Sequence, residues 1–241
     1  DPAMFIGGIR AILLQSLHPL AMAGVAQHSD YRADPWGRLQ RTASFLAATT
    51  FGTEDHAERA VAMVRRVHER VVGSAPDGRP YAANDPHLLA WVHLAEVDSF
   101  LAAHRAYGRD PLGAEQQDAY IADMAVIASR LGVVAPPTDT TELRRQLKAF
   151  EPELATTAEA RDAARFLLTP PLPLAARAPY ALLYGAAVAS LPWWARLALW
   201  LPPFTPITDR ALVRPAAGVV TDVLRWALDH PETAPPTTPT A

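Results

Sequence analysis

Apolar residues recur at spacings of three and four along nearly the whole chain, and the segments with this spacing start and stop at residues with helix-capping chemistry. Two-residue alternation, the mark of a half-buried strand, survives for only a few residues at a time. No repeat of roughly 20–50 residues points to a solenoid. The spacing predicts a first helix from about Ile6 to Gln27, with Pro19 in its middle as a kink. Asp34-Pro35 opens a second helix that ends near Gly52. Thr53 caps a third that ends at Gly73, followed by a turn-rich loop from Ser74 to Asn84. Asp85-Pro86 opens a fourth ending at Gly108, and Asp110-Pro111 a fifth ending at Gly132. Thr140 or Thr141 caps a sixth through Phe150, and Thr156 or Thr157 begins a seventh that ends before Pro170. Shorter helices follow to about His230. The chain therefore reads as a single all-α domain of roughly nine to ten helices over 1–230. A Pro/Thr-rich tail, 231–241, is expected to be flexible.

Composition narrows the chemistry. Half of the 241 residues are hydrophobic, which supplies a core, and there is no cysteine, which excludes disulfide staples, thiolate metal sites and a thiol nucleophile. A net charge of −3 leaves no electrostatic footprint for nucleic acid. Lys148 is the lone lysine among 22 basic residues, a bias that matches GC-rich coding in so alanine-rich a chain and carries no function by itself. The start, Asp1-Pro2, lacks a basic n-region and reads as the trimmed edge of a longer protein, without a signal peptide. No window of about 20 apolar residues is free of charges and breakers. The expected location is cytoplasmic. The segment Trp193 to Trp200 offers two readings, peripheral contact with a membrane surface or a buried helix pair.

Four of the eight histidines, His28, His56, His87 and His230, fall at helix ends or in loops, where solvated or capping roles are the default. His18, His68, His93 and His104 fall inside predicted helices. His68 lies within a stripe of valines (Val61, Val64, Val67, Val71 and Val72), and a neutral imidazole on such a wall needs a partner, because burying it unpaired costs about 1–3 kcal/mol. A carbonyl, a carboxylate or a metal would serve. On the second helix Arg38, Arg41 and Thr42 share a face that Phe45 extends, and little of that helix looks plainly solvent-facing. A guanidinium there suits a carboxylate such as a cofactor propionate, or it is simply exposed. His93 and Glu96 form a His-x-x-Glu pair, but a di-metal carboxylate bundle needs Glu-x-x-His, which is missing. His-Glu-x-x-His, a phosphate-binding glycine loop and a nucleophile elbow are missing too.

A series of motifs carries a resemblance. The run Gly7-Gly8-Ile9-Arg10 through Gln15-Ser16-Leu17-His18-Pro19, then Gly24-Val25-Ala26-Gln27-His28-Ser29, is followed by Gly37-Arg38-Leu39-Gln40-Arg41-Thr42 and Phe51-Gly52. Val67-His68-Glu69-Arg70-Val71, Tyr81-x-Ala-x-Asp85-Pro86 and Leu89-Ala90-Trp91-Val92-His93 continue the order. Together, over residues 5–132, they resemble the all-helical oxygenase family of the rubber oxygenases (latex clearing proteins) and the mycophenolic acid oxygenase. The family was formerly a domain of unknown function.

The resemblance implies helices packed in globin-like fashion around a cofactor pocket that holds haem b. It makes His68 the axial iron ligand and places Arg38 and Thr42 beside the haem as catalytic groups. Arg41, Val64, Val71 and His93 complete the cofactor contacts. Arg41 stands where the rubber oxygenases carry a lysine able to cap the iron, and a permanently protonated guanidinium is a poor ligand. The distal glutamate of those enzymes has no match here, and His18 is the nearest acid–base candidate. At a proline kink His18 either relays protons or donates to a freed carbonyl. The expected function is a haem-dependent oxygenase using O2 on an isoprenoid, alkene or lipid-like substrate. A non-catalytic haem- or lipid-binding protein is the alternative, and a di-metal oxidase built on His18, His68 and His93 a third.

Overall fold

The computed structural model describes residues 1–29, 32–202 and 206–230; the expected tail at 231–241 lies outside the described residues. The architecture is predominantly helical, as the periodicity requires. Its elements are α1 (Ala3–Gln15), α2 (Pro19–His28), α3 (Pro35–Phe51), α4 (Glu54–His68), α5 (Pro86–Tyr107), α6 (Ala114–Leu131), α7 (Thr140–Phe150), α8 (Ala158–Leu168), α9 (Leu174–Ser190) and α10 (Trp193–Ala198). A short α11 (Pro206–Thr208) continues through a π-helical turn into α12 (Arg214–Asp229).

α5 is the central element. Its N-cap Asp85 accepts from the His87 N–H, and Pro86 occupies the first helical position. Trp91, Leu94 and Val97 are buried along it and meet Leu13 and Leu17 at the end of α1, Ile121 of α6 and Phe150 of α7. α1 lies along α5 in the most extensive helix pairing of the fold. Glycine makes that approach close, because a Cβ on Gly7 would fall 2.6 Å from the Phe100 ring.

Pro19 does not kink one long helix. It starts a new one, at 107° to α1, with His18 in an extended conformation at the N-cap of α2. The carbonyl of Gln15, expected to lack a donor, accepts from the His18 N–H at 3.2 Å and from the Trp91 indole at 3.1 Å. Proline at the first helical position costs nothing, since that N–H has no helical partner in any case, and the corner needs no strained helix interior. By length and apolarity no single described helix is able to cross a membrane, while the α1–α2 pair passes that test only as a sharply bent unit.

Four other expectations are corrected. α4 ends at His68 instead of Gly73, and the expected loop is a small antiparallel hairpin, β1 (Val72–Ser74) with β2 (Pro80–Ala82), in which Gly73 pairs with Tyr81. Tyr81 anchors it: its hydroxyl donates to Gln27 Oε1 at 2.7 Å, and Gln27 Nε2 donates to the Ser74 carbonyl. α6 starts after Gly113, whose N–H donates to Gln116 Oε1, instead of at Asp110-Pro111. α7 is capped by Asp139, whose carboxylate accepts from Thr141 and Glu142, instead of by a threonine.

Candidate functional site

The predicted residues fall into three groups. The first lies on α3 and α4, which pack against each other across the Gly52–Thr53 link. Arg38 donates to Ser29 Oγ at 2.8 Å, tying α3 to the end of α2. Thr42 Oγ1 donates back to the Arg38 carbonyl, one turn earlier. Arg41 is exposed and pairs with the N-cap carboxylate of Asp34 at 3.2 Å. α3 is more solvent-facing than its pattern suggests: positions 39–44 are exposed, Thr42 among them.

The valine stripe of α4 is only partly covered. Val61 is buried, Val64 and Val71 are half-buried, and Val67 and Val72 are exposed, because the helix stops at His68 and Val72 enters β1. Val71 packs with Ala23, Tyr81 and Leu88 in a small cluster under the hairpin. The His68 imidazole is half-buried, and desolvation alone lowers its pKa. It makes no hydrogen bond to any described residue.

His93 and Glu96 form the second group, one turn apart on α5. His93 is buried and its Nε2 has no hydrogen-bond partner; burial lowers its pKa to about 4. Burial pushes Glu96 up to about 7, and its charge helps to raise the pKa of the Tyr120 phenol.

The third group is a corner that the sequence reading did not assemble. His18, from the α1–α2 break, is 2% exposed and neither ring nitrogen has a hydrogen-bond partner. Its Nε2 lies 3.6 Å from Glu153 Oε2, and His87 Nε2 lies 2.8 Å from that same oxygen. Phe150 stacks on His87 at 4.5 Å and meets the His18 ring edge-on at 6.2 Å. Burial is the main influence on His18 and lowers its pKa, against the opposing pull of Glu153. Beside this corner a cleft of about 460 Å³ opens between Leu17, Glu151 and Leu154 on one side and Trp193, Trp194 and Ala198 on the other. Trp193 and Trp200 are 68% and 72% exposed, while Ala195 and Leu199 are buried, so the Trp193–Trp200 segment is half core and half surface.

From sequence His87 reads as a helix-end residue with a solvated or capping role, and Glu153 in Glu-Pro-Glu carries no local signature. The only signal for the first was its position in the first turn of α5; the second had none, since 66 residues separate the pair.

No curated protein and no solved structure matches this chain. A protein family does match, over residues 1–222, described as the ER-bound oxygenase mpaB/B′ and rubber oxygenase catalytic domain. With a match across so much of the sequence, and with the ordered motifs of α1 to α5 on a predominantly helical single domain, this chain belongs to that oxygenase family.

Proposed function

We propose that this oxygenase binds haem b through His68 and acts with O2 on a hydrophobic, isoprenoid- or lipid-like substrate. The observation that carries the haem is the state of His68: a half-buried imidazole, its pKa lowered by desolvation and without a hydrogen-bond partner among the described residues, so that a ring nitrogen is available to an iron. Arg38, in the first turn of α3, and His68, at the end of α4, both stand far along the chain from the Gly52–Thr53 link across which the two helices pack. In this reading Arg38 would pair with a propionate, and Val64, one turn before His68, would pack on the macrocycle.

Haem, when bound, supplies the redox-active iron for chemistry with O2. The chain's own residues do the rest. His68 presents a neutral nitrogen. Arg38, steadied by Ser29, and Thr42, steadied by the Arg38 carbonyl, orient polar groups at the site. Leu39, Met63 and Val67 expose apolar side chains on the same two helices, a surface suited to an alkyl or isoprenoid chain. Arg41, engaged with Asp34, and His93, inside α5, stay outside this set, and His18 belongs to the separate corner with His87 and Glu153.

The test is the absorption spectrum of the purified chain. A Soret band is expected in the wild type and its loss in His68→Ala, with far-ultraviolet circular dichroism unchanged. Full haem content and an unaltered spectrum in His68→Ala would remove this ligand assignment. Arg38→Ala is expected to lower haem retention more than Arg41→Ala, because the exposed Arg41–Asp34 pair is worth at most about 1 kcal/mol. Equal and negligible effects of the two substitutions would take Arg38 out of the pocket.

A further inference from the structure

We infer that His18, His87 and Glu153 form a binding site for one divalent transition-metal ion, sharing no residue with the haem reading. Each ligand comes from a different segment: the α1–α2 corner, the first turn of α5, and the 3₁₀ turn Glu151–Glu153 that follows α7. One donor atom from each lies within 4.8 Å of the other two. Around a four-coordinate ion with bonds of about 2.0–2.1 Å, donor atoms sit roughly 3.3 Å apart. The observed separations from Glu153 Oε2, 2.8 Å to His87 and 3.6 Å to His18, bracket that value.

His18 supplies the independent observation. An imidazole 2% exposed with both nitrogens unpartnered carries an unmet desolvation cost. At 3.6 Å Glu153 is too far to relieve it by a hydrogen bond. An ion between the three side chains satisfies Nε2 with a bond. The rings are already aimed, since Phe150 and Trp91 enclose His18 and Phe150 stacks on His87. Another charge that reaches the corner, Arg79, is paired with Asp77 at 2.8 Å and so offers little repulsion to a cation.

Two imidazoles and one carboxylate suit zinc or ferrous iron and disfavour calcium and magnesium, which take oxygen donors. His87 and Glu153 are about half exposed, which gives the ion a path from solvent and leaves a coordination position open.

Zinc titration of the full, chelator-treated chain by calorimetry, with thermal melts alongside, tests the site. One Zn²⁺ per chain is expected, raising the melting temperature. His87→Ala and Glu153→Gln, both at half-exposed side chains that the fold tolerates, are each expected to weaken binding at least about tenfold and to lose the thermal shift. His68→Ala is expected to bind zinc like the wild type, which separates this site from the haem ligand. Absence of zinc binding by the wild type, or equal zinc affinity in His87→Ala, would reduce the corner to a His87–Glu153 ion pair beside a buried histidine and overturn the proposal.

Discussion

Replacing Arg10 with alanine is expected to destabilise the fold by about 3–5 kcal/mol, read as a lower urea midpoint with an unchanged slope. Arg10 is the charged residue of an otherwise apolar α1 and is 4% exposed. Its Nη2 pairs with Asp98 at 2.8 Å, its Nη1 donates to Ser99 Oγ at 2.6 Å, and its Nε donates to the Ser190 carbonyl at 3.2 Å. One guanidinium thus ties α1 to α5 and to the end of α9. Truncation strands three acceptors at once, and the cost of unpaired buried groups exceeds the net worth of the pair itself. Arg10→Met with Asp98→Leu is the informative companion. With both charges gone no buried ion is left alone, and the double variant is expected to recover more than half of the single variant's loss. A cost below about 1 kcal/mol for Arg10→Ala would mean that solvent reaches the cluster through Asp98, which is 29% exposed, and does the work of the arginine.

Arg10 also shows what was legible in the sequence and what was not. Its position inside an apolar run is visible from the pattern, but a lone charge in a helix points equally to a buried partner or to a surface, and Asp98 lies 88 positions away. The helix starts that read correctly have local chemistry: Asp34-Pro35, Asp85-Pro86 and Thr157 each act within a turn of themselves. Pro19 starts a new helix and is not a kink, a difference that the sequence does not resolve because a proline between two apolar runs fits both. The Trp91 indole that completes the Gln15 carbonyl arrives from a distant helix. The β1–β2 hairpin leaves no sequence signal because three-residue strands are too short to alternate; Tyr81 holds it by packing on Ala23 and Leu88. The same division runs through the sites. Arg38, Thr42 and His68 stand in motifs, whereas the His18–His87–Glu153 corner exists only once α1, α5 and α7 converge.

Glu96 and His93 are expected to impose opposite pH dependences on stability, which single substitutions will separate. Burial raises Glu96 from 4.5 to about 7, so the folded state holds this proton more tightly than the unfolded chain does. Its contribution is fully present below pH 4.5 and is lost as pH rises through 7, a change of about 3 kcal/mol. Burial lowers His93 from 6.5 to about 4, so here the unfolded chain binds the proton more tightly. That contribution is present above pH 6.5 and is lost as pH falls through 4, again by about 3 kcal/mol. Between pH 4.5 and 6.5 the two slopes cancel, and the wild type hides both. Glu96→Gln removes the first slope, so the variant gains on the wild type as pH rises and exceeds it by about 3 kcal/mol above pH 7, relative to their difference at pH 4.5. His93→Gln removes the second and gains as pH falls, with its largest advantage near pH 4. Urea unfolding of the three proteins across this range measures both. Parallel profiles would show that these groups titrate in the folded protein as they do in water, and that α5 does not hold a desolvated acid and a buried base one turn apart.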